Sequence, residues 1–200
     1  MHDWNVRLYI IKKKYVRLRM KKLIFITGPP GSKWSRFSQE MRKSDTIDNS
    51  DCNEARSYKH SQYSGHVGVY FGPEMEYGDW LRDGFYPDRL GKEIESIWSG
   101  DGKKILMSHN WCYYFNDIIY SYPAATIITV QRKNDKCFAW WQQAGGWNIT
   151  YPSYTWYKND DRMKEEISKQ NKSIEEYIVK NKLQRTYFED ITLTINTSGS

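Results

Sequence analysis

The chain has 200 residues, enough for one domain with a sizeable core. A hydrophobic fraction of 39%, with 9 Trp, 16 Tyr and 7 Phe, excludes a disordered chain despite a mean hydropathy of −0.82. The formal charge of +6 is unevenly placed: residues 1–22 hold eight Lys/Arg against Asp3, about +7, so the remainder is close to neutral. Residues 1–19 therefore read as a basic leader and 20–200 as a single domain. Three readings of the leader stand: a basic arm for nucleic acid or a membrane surface, an edge strand or amphipathic helix on the domain, or a non-native extension ahead of Met20-Lys21-Lys22-Leu23. No 7–15-residue apolar stretch with a cleavage site is found, and no 18-residue apolar run, so neither a secretory signal nor a membrane span is expected. Cys52, Cys112 and Cys137 lack CxxC spacing, which predicts neither a disulfide framework nor a zinc site and suits a reducing, cytoplasmic setting.

In chain order, Leu23–Thr27 is a short apolar run that leads into Gly28-Pro29-Pro30-Gly31-Ser32-Lys33-Trp34-Ser35. This layout of strand, Gly/Pro turn and helix start is that of a phosphate cradle, in which backbone N–H groups at a helix N-terminus face an anion. A plain strand-to-helix turn is the competing reading. Trp34–Arg42 reads as a short helix, residues 44–66 as loop, and Val67–Phe71 as a short strand stopped by Gly72-Pro73. Helical spacing follows over 88–98 (Leu90, Ile94, Ile97), with a break at Gly100-Asp101-Gly102. Lys104–Met107 is a strand candidate ending in Ser108-His109-Asn110. Residues 111–120 look helical, and Ala125–Val130 is a strand ending in Gln131-Arg132. A helix over 134–143, a Gly/aromatic loop from Ala144 to Tyr157, a long helix over Asp160–Leu183 and a last strand over Arg185–Phe188 complete the chain. Alternating strands and helices predict an α/β fold: a P-loop-type three-layer domain with a mainly parallel central sheet.

In open α/β sheets, ligands gather at the carboxyl ends of the strands. Those ends carry the loop 28–35, then Ser108-His109-Asn110, then Gln131-Arg132. Gly-Pro-Pro-Gly-Ser is similar to the loop of many P-loop kinases, which continue Gly-Lys-Ser; here Lys33-Trp34-Ser35 follows. A nucleoside-triphosphate enzyme also needs a Mg²⁺ ligand, usually an Asp at the end of an apolar strand. Neither strand candidate ends in an acid: one ends in His and the other in Arg. That pattern argues against a metal and supplies a general base and an anion partner.

The order of these motifs resembles the sulfotransferases that use 3′-phosphoadenosine 5′-phosphosulfate (PAPS). Pro30-Gly31-Ser32-Lys33-Trp34 stands at the place of that family's 5′-phosphosulfate loop, and Met107-Ser108-His109 at its catalytic strand end. Thr129-Val130-Gln131-Arg132-Lys133-Asn134 matches its 3′-phosphate motif, and Tyr187-Phe188-Glu189-Asp190-Ile191 its late Tyr-Glu-Asp-Leu-like strand. The four arrive in family order over residues 22–191. The departures are Pro29 where the family loop has its Lys, Trp140 where it has a Ser after the Arg, and no late Arg-Lys-Gly string. Compact proteins of this kind also occur in phage genomes, so a phage source would fit.

The resemblance implies PAPS as co-substrate, no metal, and sulfuryl transfer to a hydroxyl or amine of a small-molecule or glycan acceptor. The backbone of Gly31–Ser35 would cradle the 5′-phosphosulfate, with Lys33 neutralising the leaving phosphate and Ser32 or Ser35 donating to it. His109 would accept the acceptor's proton, and Arg132 would take the 3′-phosphate as a guanidinium fork does. Each residue also has a plainer reading. Trp34 either stacks on adenine or packs the loop, His109 binds a neighbouring loop, and Arg132 pairs with Asp135. Trp140, Trp141 and Trp147 form a lid or acceptor wall, or else core, and Glu189-Asp190 cap or pair near the sheet edge. His66 with Tyr63, Tyr70 and Phe71 is, as a functional reading, the lining of an acceptor pocket. A kinase with a degenerate Walker loop and a non-catalytic binding module are the two rival functions.

Overall fold

A computed structural model describes residues 23–60 and 65–197; the basic leader and Tyr63 lie outside them. The elements in order are β1 (Leu23–Thr27), α1 (Trp34–Met41), β2 (Ser57–Lys59), β3 (Gly65–Val67), α2 (Pro87–Ile97), β4 (Lys104–Met107), α3 (Phe115–Ser121), β5 (Thr126–Arg132), α4 (Asn134–Gln143), α5 (Asp160–Lys180), β6 (Arg185–Phe188) and β7 (Ile191–Thr197). Five strands form one mixed sheet in the order β4-β1-β5-β7-β6. Every residue of β1 is buried, as expected of a strand flanked on both edges and covered on both faces. β1 runs parallel to β4 and to β5, with Ile26 opposite both Met107 and Ile128.

The sheet is less parallel than expected. β6 and β7 are joined by only Glu189-Asp190, and a two-residue connection permits only antiparallel pairing. β7 then pairs antiparallel with β5, with Arg132 opposite Ile191. Arg185–Phe188 is therefore not the last strand, and the alternation of Ile191, Leu193 and Ile195 carried the missing signal. The segment read as loop over 44–66 holds β2, which pairs antiparallel with β3, and Ile47 bridges Lys103 beside the main sheet. The expected strand over Val67–Phe71 is displaced: β3 ends at Val67, and Tyr70 makes a single parallel bridge to Met107. The first part of the helix expected over 111–120 is a 3₁₀ turn, His109–Tyr113, and α5 stops at Lys180 rather than Leu183.

The pleat divides the core. Leu23, Phe25, Leu106 and Ile127 face one side, where they pack with Leu90 of α2 and Ile174 of α5. Ile26, Met107, Ile128 and Val130 face the other, under Trp34 of α1 and Tyr70. A third cluster joins α4 to α5 through Trp141, Tyr154, Met163 and Ile167.

On the α1 side, the irregular segment after the helix is fastened by a buried ion pair. Arg42 donates from Nη1 to Asp51 Oδ1 at 2.9 Å and from Nη2 to Asp51 Oδ2 at 2.8 Å, and Val69 N–H donates to the same carboxylate at 2.9 Å. Asp51 is fully buried. Gly68 lies over the pair at φ +87°, and a Cβ there would sit 2.2 Å from Arg42 Nη2. Removing one member of such a pair strands the other charge, at a cost of about 3–5 kcal/mol. Asp51→Ala is expected to lose stability in that range, measured by urea unfolding; a loss under about 1 kcal/mol would contradict this role for the pair.

Candidate functional site

The three parallel strands deliver their ends to one loop. After β1, Ser32 N–H closes a turn onto Pro29 O at 3.0 Å, Gly31 takes φ +79°, and Lys33 takes φ +65° immediately before α1. The Gly31 conformation is required as well as permitted, because a Cβ there would lie 1.8 Å from Cys137 O on α4. Gly28 is similarly pressed against β5, where a Cβ would meet Val130 O at 2.5 Å. Both glycines thus serve close packing of the loop. Pro29 and Pro30 bring no N–H, and the Ser32 N–H is spent on the turn. The amides left to face an anion are those of Gly31, Lys33, Trp34 and Ser35. Ser32 and Ser35 are buried, and Ser32 Oγ has no hydrogen-bond partner among the described residues.

β4 is followed by Ser108, whose hydroxyl accepts from Asn110 N–H at 3.0 Å and so starts the turn that carries His109. His109 Nδ1 lies 2.7 Å from Gly28 O. A carbonyl oxygen only accepts, so the network assigns the proton to Nδ1 and leaves Nε2 with its lone pair. Nε2 is buried and has no partner among the described residues. The ring is walled by Trp34, Tyr70, Tyr154 and Tyr157, at centroid separations of 4.9, 6.4, 5.8 and 6.4 Å. Burial lowers the His109 pKa to about 4 from 6.5, against the opposing pull of the Gly28 hydrogen bond. His66, which shares a 2.6 Å hydrogen bond with Tyr70 Oη, is held well below the usual value by burial and then by His60 and His109.

β5 ends in Arg132, and each nitrogen of its guanidinium has a partner. Nη1 donates to Gly31 O at 3.4 Å and Lys136 O at 3.0 Å. The other edge meets Asp190: Nε donates to Oδ2 at 2.6 Å and Nη2 pairs with the same oxygen. Lys33 Nζ lies 3.9 Å from Asp190 Oδ1 and 4.0 Å from Glu189 Oε2. Both cations also sit against the Trp140 ring, Lys33 Nζ at 4.7 Å and Arg132 Cζ at 5.9 Å from its centroid. Burial raises the Asp190 carboxyl, but the hydrogen bond and charge of Arg132, with Lys33, hold it net below its usual value.

The fold thus gathers the loop 28–35, His109 and Arg132 in one place, as the strand-end argument expected. Trp34 packs the loop rather than standing free, and Arg132 pairs with Asp190 rather than Asp135. Trp141 is core, whereas Trp147 is exposed and donates to Asp160 at 2.8 Å. His66 is buried beside Tyr70. Tyr154 and Tyr157 were not anticipated as neighbours of His109, because they come from the irregular Gly/aromatic segment, where no periodicity assigns a face. Two small cavities of about 20 Å³ flank the site, one lined by Lys33, Trp34, His66 and Tyr154, the other by Tyr70, His109 and Tyr157. A larger cavity of about 450 Å³ lies at the opposite end of the strands, beside Leu23 and Lys104, away from all these groups.

Among the described residues no cluster of three or more His, Cys, Asp or Glu is arranged to hold a metal ion, and no helix is long and apolar enough to cross a membrane. Comparison with protein-family models, curated proteins and solved structures finds no match to this chain.

The His109 shift has a thermodynamic consequence. Its folded pKa lies below the unfolded value, so between about pH 6.5 and 4 the unfolded chain binds a proton that the folded chain does not. Stability is expected to fall as pH drops through that window, by about 3 kcal/mol from this residue, and to level off below it. Urea unfolding between pH 7 and 4 checks this. His109→Gln should flatten the slope by about one proton, while His60 and His66 retain their share.

Proposed function

We propose that the domain binds PAPS at the loop 28–35 and transfers its sulfuryl group to a hydroxyl or amine of a small-molecule or glycan acceptor. The observation that carries this reading is the convergence of three strand ends on one loop, with His109 against Gly28 O and Arg132 against Gly31 O. A P-loop-type identity for the mixed α/β fold belongs to the same proposal.

The chemistry suits these residues. Sulfuryl transfer forms a bond from the acceptor oxygen or nitrogen to sulfur and breaks the bond from sulfur to the phosphate oxygen. Charge passes to the leaving phosphate, and cations placed there stabilise it. Lys33 supplies that charge from the turn, and the amides of Gly31, Lys33, Trp34 and Ser35 supply donors. Arg132 holds the 3′-phosphate. His109 Nε2, unprotonated at neutral pH, takes the acceptor's proton. Because its pKa is near 4, its capacity as a base rests on partial rehydration as the aromatic wall opens. The flanking cavities are water-sized, so a reacting group reaches Nε2 only when Trp34, Tyr70 or Tyr154 shifts.

A second reading, a non-catalytic binding module, is favoured by the occlusion of Nε2 and by the cations' engagement with Asp190. The kinase reading is disfavoured by the absence of an acid at the ends of β4 and β5 and by Trp34 at the place of the phosphate-gripping Lys.

Calorimetry with adenosine 3′,5′-bisphosphate in EDTA, beside ATP with Mg²⁺, tests the proposal. Metal-free binding of the bisphosphate is expected, weakened at least tenfold in Arg132→Ala and in Lys33→Ala, about 1.4 kcal/mol or more each. His109→Gln is expected to keep that binding and lose PAPS-dependent transfer by about 10²–10⁴-fold. Binding that survives His109→Gln with no transfer by the wild type over an acceptor panel would favour the module. Magnesium-dependent ATP binding alone would favour the kinase.

A further inference from the structure

The Arg132 guanidinium has no edge free for a phosphate. Nη1 is committed to Gly31 O and Lys136 O, and the Nε/Nη2 edge, whose paired donors match a phosphate, is met by Oδ2 of the Asp190 carboxylate. The same carboxylate stands 3.9 Å from Lys33, and Glu189 adds a second acid at 4.0 Å. A carboxylate thus sits between the two cations that the proposed nucleotide would need.

The segment carrying these acids is built to yield. Glu189 and Asp190 are the whole turn between β6 and β7, and Glu189 holds φ +53°, a left-handed conformation unfavourable for a residue with a side chain. β6 is the edge strand, and all four of its residues are exposed. Phe188 is half-exposed, with Arg36 over its ring at 5.9 Å. Such an edge hairpin tip belongs to the least protected part of a fold. β7 is held differently, with seven residues paired along β5 and Ile191 buried. A displacement of the tip would leave the pairing of β7 with β5 in place.

We infer that the Glu189-Asp190 turn is an internal anionic latch, in which Asp190 occupies the phosphate edge of Arg132 and an incoming nucleotide phosphate must displace it. This rests on the phosphate-site reading above and adds its regulation: binding is an exchange of one anion for another rather than the filling of a ready cationic site. A latch lowers apparent affinity by the fraction of molecules in which it is open, and removing it restores the intrinsic value.

The test is calorimetric titration of adenosine 3′,5′-bisphosphate into the wild type, Asp190→Asn, Asp190→Ser and Arg132→Ala. Thermal melting of each variant establishes that it is folded. Backbone NMR of the wild type follows residues 28–35 and 188–191 through the same titration. Tighter binding in both Asp190 variants, by about tenfold, with shifts at both segments of the wild type, is the expected result. Unchanged or weaker binding in folded Asp190 variants would overturn the latch and make Asp190 a positioning residue for Arg132. Shifts confined to 28–35 would overturn it as well. If wild type, Asp190→Asn and Arg132→Ala all fail to bind, or bind alike, the phosphate site itself is wrong and the latch falls with it.

Discussion

The pairing of β1 with a parallel strand on each side is the constraint from which the rest of the site follows. β4 and β5 both register against Leu23–Thr27, β4 ending opposite Ile26 and β5 running three residues past the partner of Thr27, so all three carboxyl ends point to the same side of the sheet. Whatever follows each strand must turn in the same small space. The loop after β1 meets this by packing glycine where a side chain would collide with β5 or α4. The ends of β4 and β5 meet it by bonding that loop directly, through His109 to Gly28 O and Arg132 to Gly31 O. These carbonyl contacts orient the imidazole and the guanidinium before any ligand enters. They also pin the loop in place, so the loop and the two strand ends behave as one unit.

Burial gives that unit its chemistry and its constraint. The aromatic wall removes water from His109, which makes its neutral form dominant and leaves Nε2 a bare acceptor. Desolvation also makes the ring a weaker base than one in water. A base that is both accessible and effective therefore requires the wall to part. The side chains in that wall differ in how easily they yield. Trp34 is almost completely buried and anchors α1 to the sheet, whereas Tyr154 comes from an irregular segment between α4 and α5. Tyr154 belongs to neither strand pairing, so a shift there would leave both intact.

Local patterns exposed much of this architecture. The apolar run of β1, the Gly/Pro turn, Lys104–Met107 and the helix at Asn134 are all set by near-neighbour chemistry, and each lies where its residues predicted. The strand-end rule then placed His109 and Arg132 beside the loop without any knowledge of contacts. Interactions distant in sequence were illegible. Pairing of Glu189-Asp190 near the sheet edge was legible, but its partner was not: Asp190 reaches Arg132, 58 positions earlier, only because β7 returns antiparallel along β5. The Arg42–Asp51 pair escaped for a related reason: its members stand nine positions apart across irregular chain, and neither periodicity nor capping selects them. β7 itself was legible in its alternation, but a four-residue β6 with every side chain exposed gives little sign that a second strand follows.

Under the proposed reading, the balance of charge at the site bears on why Asp190 stands where it does. Outside the basic leader the chain is close to neutral, so within the described domain the attraction of an anion falls to single residues within a few ångströms. Lys33 and Arg132 are those residues, and both sit against one indole ring in a partly desolvated corner. Two cations this close repel each other, and a carboxylate between them offsets that repulsion and keeps the corner assembled. In the proposed exchange, a phosphate at the same place would bring more charge and more acceptor oxygens than the carboxylate it displaces. Removing both acids would strengthen the attraction, yet it would also leave the two cations to hold their places against each other. The position of Asp190 on a yielding hairpin tip, rather than on the rigid face of β5, reconciles these demands.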